Sequence, residues 1–193
     1  MKKTILLILA AILMCSSVNA KQKVKEKKMP RISVKGNHFV NDRGDPIVFR
    51  GLCLADPVKL VRQNQWNDNL FAQAAEWGAN IVRFAIHPVN INRMGWDETF
   101  KLIDDGIKWA KAHNLYVILD WHSIGNLKDE IYTNRMYDTT KEETLRFWST
   151  ASKRYADETA VALYEVFNEP TVNADQNLGT ATWEEWKTLQ EQI

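Results

Sequence analysis

Four short apolar runs, each followed by a segment with helical spacing, recur along the last three-quarters of this chain of 193 residues. The runs fall at 47–52, 80–86, 115–120 and 162–167. Between them, Leu70, Ala74 and Trp77 mark one helical stripe ending at Gly78, and Phe100, Ile103, Ile107 and Ala110 mark another. Trp148, Ala151 and Tyr155 form a third, and Thr140 and Thr182, each followed three residues later by Glu, have the pattern of a helix capping box. Nearly continuous apolar strands alternating with helices predict a parallel sheet covered on both faces. Two architectures share this rhythm, the doubly wound sheet and the (β/α)8 barrel. No Gly-rich phosphate loop follows the first run, which speaks against the doubly wound nucleotide fold. A complete barrel takes about 250 residues. The expected fold class is therefore α/β, and if the sheet is a barrel, the chain supplies its N-terminal half over 31–193. Ahead of it, two short runs around the turn at Gly36-Asn37 predict a hairpin that covers the barrel bottom, and the third run, 47–52, is expected as barrel strand one.

The first thirty residues read differently. Met1-Lys2-Lys3, an apolar stretch from Ile5 to Met14 and small residues up to Ala20 have the three-part pattern of a secretory signal peptide over 1–20. The stretch is shorter than the roughly 20 apolar residues that span a bilayer, so no membrane association is expected after cleavage. Met14 before Cys15 does not suit a lipidation site, which needs a small side chain there. Residues 21–30 are rich in lysine and poor in apolar groups, and are expected as a solvated linker. Removing Lys2 and Lys3 takes the formal charge from +1 to −1, and that balance gives no reason to expect a nucleic-acid partner. Cys53 alone remains after cleavage, so no internal disulfide can form and stability must come from the core. A hydrophobic fraction of 45% and eight tryptophans, all beyond residue 65, suit a large core.

Polar residues gather where the apolar runs finish: Arg83 inside the second with His87 just after it, Asp120-Trp121-His122 after the third, and Asn168-Glu169 after the fourth. In a parallel barrel these ends share one mouth, where barrel active sites are built. An arginine inside an apolar strand is costly unless it is paired, so Arg83 calls for a carboxylate partner, in a catalytic site or in a structural ion pair. There is no His-Glu-x-x-His pattern or cysteine cluster, so no catalytic metal and no cofactor are expected.

Three segments, in order and each on an expected strand, resemble glycoside hydrolase family 5, the cellulase family of the barrel-fold glycosidases. They are Ile81-Val82-Arg83, Val117-Ile118-Leu119-Asp120-Trp121-His122 and Val166-Phe167-Asn168-Glu169-Pro170. Of the two architectures, the resemblance implies a (β/α)8 TIM barrel truncated after about four βα units. It also implies that Glu169 is the acid/base of a retaining, two-carboxylate hydrolysis, which must first protonate the leaving oxygen and then deprotonate a water. Such a role needs a carboxyl group with a pKa raised toward neutrality. By the same resemblance Asn168 binds the sugar 2-hydroxyl, Arg83 orients the nucleophile carboxylate, and His122 with Trp121 binds substrate or supports the site. The family's nucleophile, a Glu at the end of a seventh strand, is absent from this chain. A chain with one of the two carboxylates is expected to be inactive by itself.

The implied activity is hydrolysis of β-1,4-glycosidic bonds in a polysaccharide by a secreted or periplasmic endoglucanase. A β-mannanase or other hemicellulase shares the same acid/base motif. A non-catalytic carbohydrate-binding protein on a degenerate barrel is the reading from another class, and the joint presence of Arg83, His122, Asn168 and Glu169 argues against it.

Overall fold

A computed structural model describes residues 28–172 and 177–193. The signal peptide expected at 1–20 and most of the linker lie outside the described residues. The linker's last residues are packed: Met29 is buried at the edge of the core and the Pro30 carbonyl accepts a hydrogen bond from Tyr116 Oη at 3.0 Å. The folded body therefore begins about two residues earlier than the sequence boundary at Arg31.

Three short strands, β1 (Ser33–Lys35), β2 (His38–Val40) and β3 (Pro46–Ile47), form an antiparallel sheet in that order. The expected strand one is thus split. Its beginning, Pro46–Ile47, pairs with β2, and barrel strand β4 covers Gly51–Leu54. Asn80 explains the break: its side chain accepts from Arg50 N at 2.7 Å and donates to Val48 O at 2.8 Å, holding the intervening backbone away from either ladder. Phe49, in that bend, packs its ring against both Phe39 and Tyr116. Tyr116 opens a barrel strand, so the small sheet closes the end of the barrel opposite the strand C-termini.

The central sheet is parallel, with β4, β5 (Ile81–Ile86), β6 (Tyr116–Trp121) and β8 (Val161–Glu165) in consecutive order. It provides four βα units of the barrel architecture. Between the strands run α1 (Pro57–Arg62), α2 (Asp68–Glu76), α3 (Pro88–Met94), α4 (Trp96–Ala112) and α5 (Lys141–Arg154), and α6 (Trp183–Gln192) follows β8. The short helices α1 and α3 escape periodicity because neither is long enough to show it. Both open with proline at the first helical position, which loses no helical hydrogen bond there. Thr140 and Thr182 cap α5 and α6 as their sequence implies, and at Thr182 the reciprocal bond from the cap N–H to Glu185 completes the box.

The core lies between the sheet's outer face and the helices. Trp66, Phe71, Phe84 and Trp109 meet mainly edge to face, with the Trp66 and Phe84 centroids 5.2 Å apart. Such pairs contribute about 0.5–1.5 kcal/mol beyond their buried area. Gly106 of α4 is what allows that approach, since a Cβ there would collide with Trp66 Cζ2. No helix among the described residues is long and apolar enough to cross a membrane.

Candidate active site

Side chains alternate across a strand, so Arg83 of β5, Asp120 of β6 and Glu165 of β8 point to the same, inward face of the sheet. Their neighbours face the helices: Phe84 packs on Trp66, and Tyr164 on Trp148. Asp120 and Glu165 are direct cross-strand partners. Arg83 sits lower in register, opposite Cys53 and Ile118, and extends toward the strand C-termini.

There its guanidinium gathers most of the polar residues of the mouth. Nε donates to Glu165 Oε2 at 2.6 Å and Nη2 to Glu165 Oε1 at 2.8 Å, a two-point carboxylate clamp. Nη2 also donates to Asn168 Oδ1 at 2.6 Å and lies 2.8 Å from Asp120 Oδ2. Glu165 and the surrounding carboxylates hold the guanidinium proton still more tightly than usual. Asp120 is fully buried, and that burial raises its carboxyl pKa despite the hydrogen bond with His122 and the attraction of Arg83. His122 Nδ1 lies 2.6 Å from Asp120 Oδ2. An ionised Asp120 accepts the Nδ1 proton, which fixes the imidazole tautomer and leaves Nε2 as the acceptor nitrogen.

Arg83, His122 and Asn168 therefore converge as their strand-end positions imply, and Glu169 follows Asn168 directly. Glu169 is exposed, and its strand differs from expectation. Strand β8 ends at Glu165, and Val166 and Phe167 turn toward the helices, where Trp148 Nε1 donates to Val166 O at 2.9 Å and Phe167 packs on Trp186. The backbone then rejoins its neighbour one step higher. Asn168 N donates to Trp121 O at 3.2 Å, Glu169 N to Ser123 O at 3.1 Å and Thr171 N to Gly125 O at 2.9 Å. This makes a two-stranded parallel ribbon of β7 (Ile124–Gly125) and β9 (Glu169–Pro170) at the mouth.

Trp121 is placed elsewhere. Its ring is 1% exposed, stacks on Phe147 at 4.5 Å and donates from Nε1 to Thr144 Oγ1 at 3.0 Å. A side chain directed into the helix layer cannot stack on a sugar, so of the two roles left open for it, direct substrate contact does not fit. Alternation dictates this outcome, because Asp120 points inward and its successor must point out. Cys53 also departs from the usual buried thiol. It is exposed on the inward face, 3.7 Å from Arg83 Nη1.

Sequence reasoning passed over Glu165 and gave Asp120 no role of its own. Glu165 carried a readable signal, since a carboxylate inside an apolar strand needs a partner as much as Arg83 does. A further cluster stands beside His122: the His87 ring lies 4.6 Å from it and stacks on Tyr137, which also borders His122. Asp56 accepts from His87 N at 2.9 Å. Burial opposes ionisation of Asp56, but its hydrogen bonds with His87 and Asn90 prevail, and its pKa lies below the ordinary value. No group of three or more potential metal ligands occurs among the described residues.

Comparison with known proteins places this arrangement. The family described as Cellulase (glycosyl hydrolase family 5) matches residues 40–193. The crystal structure of β-glucanase SdGluc5_26A from Saccharophagus degradans superposes with a TM-score of 0.83 at 47% identity, covering 86% of this chain and 49% of that one. The catalytic domain of endoglucanase Cel5A from Thermobifida fusca gives a TM-score of 0.62 at 25% identity, over 84% of this chain and 48% of that one. Endoglucanase A from Butyrivibrio fibrisolvens is 23% identical over 83% of this chain and 35% of its own length. The chain thus spans about half or less of these relatives. With most of its length matched by one family, and with that family's fold, the chain belongs to the cellulases of glycosyl hydrolase family 5.

Proposed function

We propose that this chain carries the acid/base side of a retaining β-1,4-glucan hydrolase, with Glu169 as the acid/base. Asn168 is the ligand of the sugar 2-hydroxyl, and Arg83 and His122 support the site. The observation that carries the reading is the state of Asn168. Its Oδ1 is held by Arg83, while its Nδ2 is buried without an acceptor among the described residues, directly before Glu169. A buried amide donor left unsatisfied costs about 1–3 kcal/mol, and a sugar hydroxyl in front of Glu169 would relieve that cost. A second carboxylate about 5–5.5 Å from Glu169 completes a retaining mechanism. By family resemblance it stands on a seventh strand, outside the four-stranded sheet of this chain. The S. degradans β-glucanase was also crystallised with cellotetraose, which supports a β-glucan as the substrate class. Secretion, through the leader at 1–20, belongs to the same reading, because a polysaccharide must be met outside the cell.

The test uses the full-length protein with Glu169→Gln, on a panel of β-glucans and mannans and on an aryl β-cellobioside. Loss of general acid and general base help costs about 10²- to 10⁴-fold for each step. Polysaccharide cleavage, which needs the proton, should collapse. The activated aryl glycoside should still form its glycosyl-enzyme, and azide should restore its turnover. Equal losses on both substrates without azide rescue, in well-folded protein, would remove Glu169 from the mechanism. Wild-type hydrolysis of mannans in preference to glucans would refute the substrate class.

A further inference from the structure

Arg83 has five N–H donors, and the way they are distributed separates one residue from the rest of the mouth. Glu165 takes the Nε and Nη2 edge of the guanidinium with both of its oxygens. A planar fork held at two points cannot rotate about its own axis, whereas one held at a single point can. Asp120 and Asn168 approach through Nη2 alone, so neither could set the plane. Among the described residues, Nη1 meets only the Cys53 thiol at 3.7 Å, a weak partner. The orientation of Arg83 is therefore decided from β8.

The consequence passes to Asn168. An amide side chain has two ends, and whichever end accepts from Arg83 fixes where the other points. With Oδ1 bound to Nη2 at 2.6 Å, Nδ2 is left as a buried donor without a partner among the described residues. Glu165 and Asn168 are three residues apart on one strand and its extension, so the backbone brings both to the same guanidinium from the same side. We infer that Glu165 is a positioning residue, which, through the Arg83 guanidinium, aims the Asn168 amide donor at the sugar 2-hydroxyl. This rests on the proposed glycosidase reading and adds to it a residue that touches neither substrate nor the scissile bond.

The experiment is a cycle between enzyme and substrate in the full-length protein. Wild type, Glu165→Gln and Glu165→Ala are each assayed on an aryl β-cellobioside and on its analogue lacking the 2-hydroxyl in the sugar before the aryl group. Misplacing a group by about 1 Å costs up to roughly 10²-fold. The expected result is a fall in kcat/KM of about 10- to 100-fold for Glu165→Ala on the parent substrate. On the 2-deoxy analogue, where Asn168 has nothing to hold, the loss should shrink to a few-fold. Glu165→Gln keeps one acceptor for the guanidinium and should fall between wild type and Glu165→Ala. Equal losses on both substrates, or wild-type kcat/KM in Glu165→Ala, would overturn the inference. Thermal melting separates these from simple unfolding: a destabilised Glu165→Ala that still loses only on the parent substrate supports positioning, and one that loses equally on both does not. A failure of the underlying reading has a different signature, namely full polysaccharide activity in Glu169→Gln run in parallel.

Discussion

Replacing Arg83 by methionine removes the cation while keeping most of the buried stem. Adding up the contacts it loses would exaggerate the effect. Three charge-assisted hydrogen bonds at about 1.5–3 kcal/mol each come to more than a single shared guanidinium can contribute. The magnitude is better set by what is stranded. Glu165 has a third of its side chain exposed, so it regains water at little cost, whereas Asp120 has none. Breaking a buried pair by deleting one partner costs about 3–5 kcal/mol; Asp120 keeps its hydrogen bond with His122, so we place the cost at the low end of that range and assign nearly all of it to Asp120. The pH dependence follows. Asp120 already has a raised pKa in the folded state, and losing Arg83 raises it further. A carboxyl group with a raised folded pKa binds more protons folded than unfolded, so stability falls as pH rises from about 3.9 through the folded value. The Arg83→Met deficit should be full at pH 7 and shrink toward pH 4. Urea unfolding at both pH values, repeated with Asp120→Asn in the same protein, reads each term. The double variant should recover most of the loss. A deficit below about 1 kcal/mol at pH 7, or one indifferent to pH and to Asp120→Asn, would refute the reasoning.

Two further outcomes follow from the packing and from the second carboxylate cluster. Gly106→Ala should lower stability by about 1–3 kcal/mol, because the new methyl collides with Trp66 and Phe84 and overpacking outweighs the roughly 1 kcal/mol of added helix propensity; a higher melting temperature would contradict the placement of α4. Asp56 has a folded pKa below its unfolded one, so it contributes stability above about pH 3.9 that is lost as pH falls through the folded value. Asp56→Asn should flatten the acid limb of the stability profile, since asparagine still caps α1, and an unchanged limb in acid titration would count against the His87–Asp56 contact.

The sequence carried the parallel sheet and the long helices because these depend on periodicity, which needs only the chain itself. It missed α1 and α3, which are too short to show a period, and misjudged strand one, whose break depends on Asn80 reaching back about 30 residues. At the mouth, Arg83, Asn168 and Glu169 were legible from position and motif. For Trp121 motif and position leave both substrate contact and a supporting role open, and alternation from its inward-facing neighbour Asp120 excludes the first. Glu165 was hidden in plain view, for Arg83 demanded a carboxylate and the fourth strand contained one. What a linear reading lacks is the cross-strand register that sets Glu165 beside Asp120 and both within reach of Arg83.

The ribbon of β7 and β9 has a consequence for how this mouth can be studied. Glu169 N is tied to Ser123 O and Thr171 N to Gly125 O, so main-chain bonds set where the backbone that carries the carboxylate stands. Alanine scanning leaves every one of those main-chain bonds intact, so a loss at Glu169→Ala would report the carboxylate and not the bonds that hold its strand. Semisynthesis that replaces the Thr171 amide by an ester deletes a single donor and no side chain, and so would expose a dependence that conventional mutagenesis cannot see. The same property suits the ribbon to loop grafting, because any segment that returns a carbonyl to the same height can hold the glutamate, whatever side chains it brings.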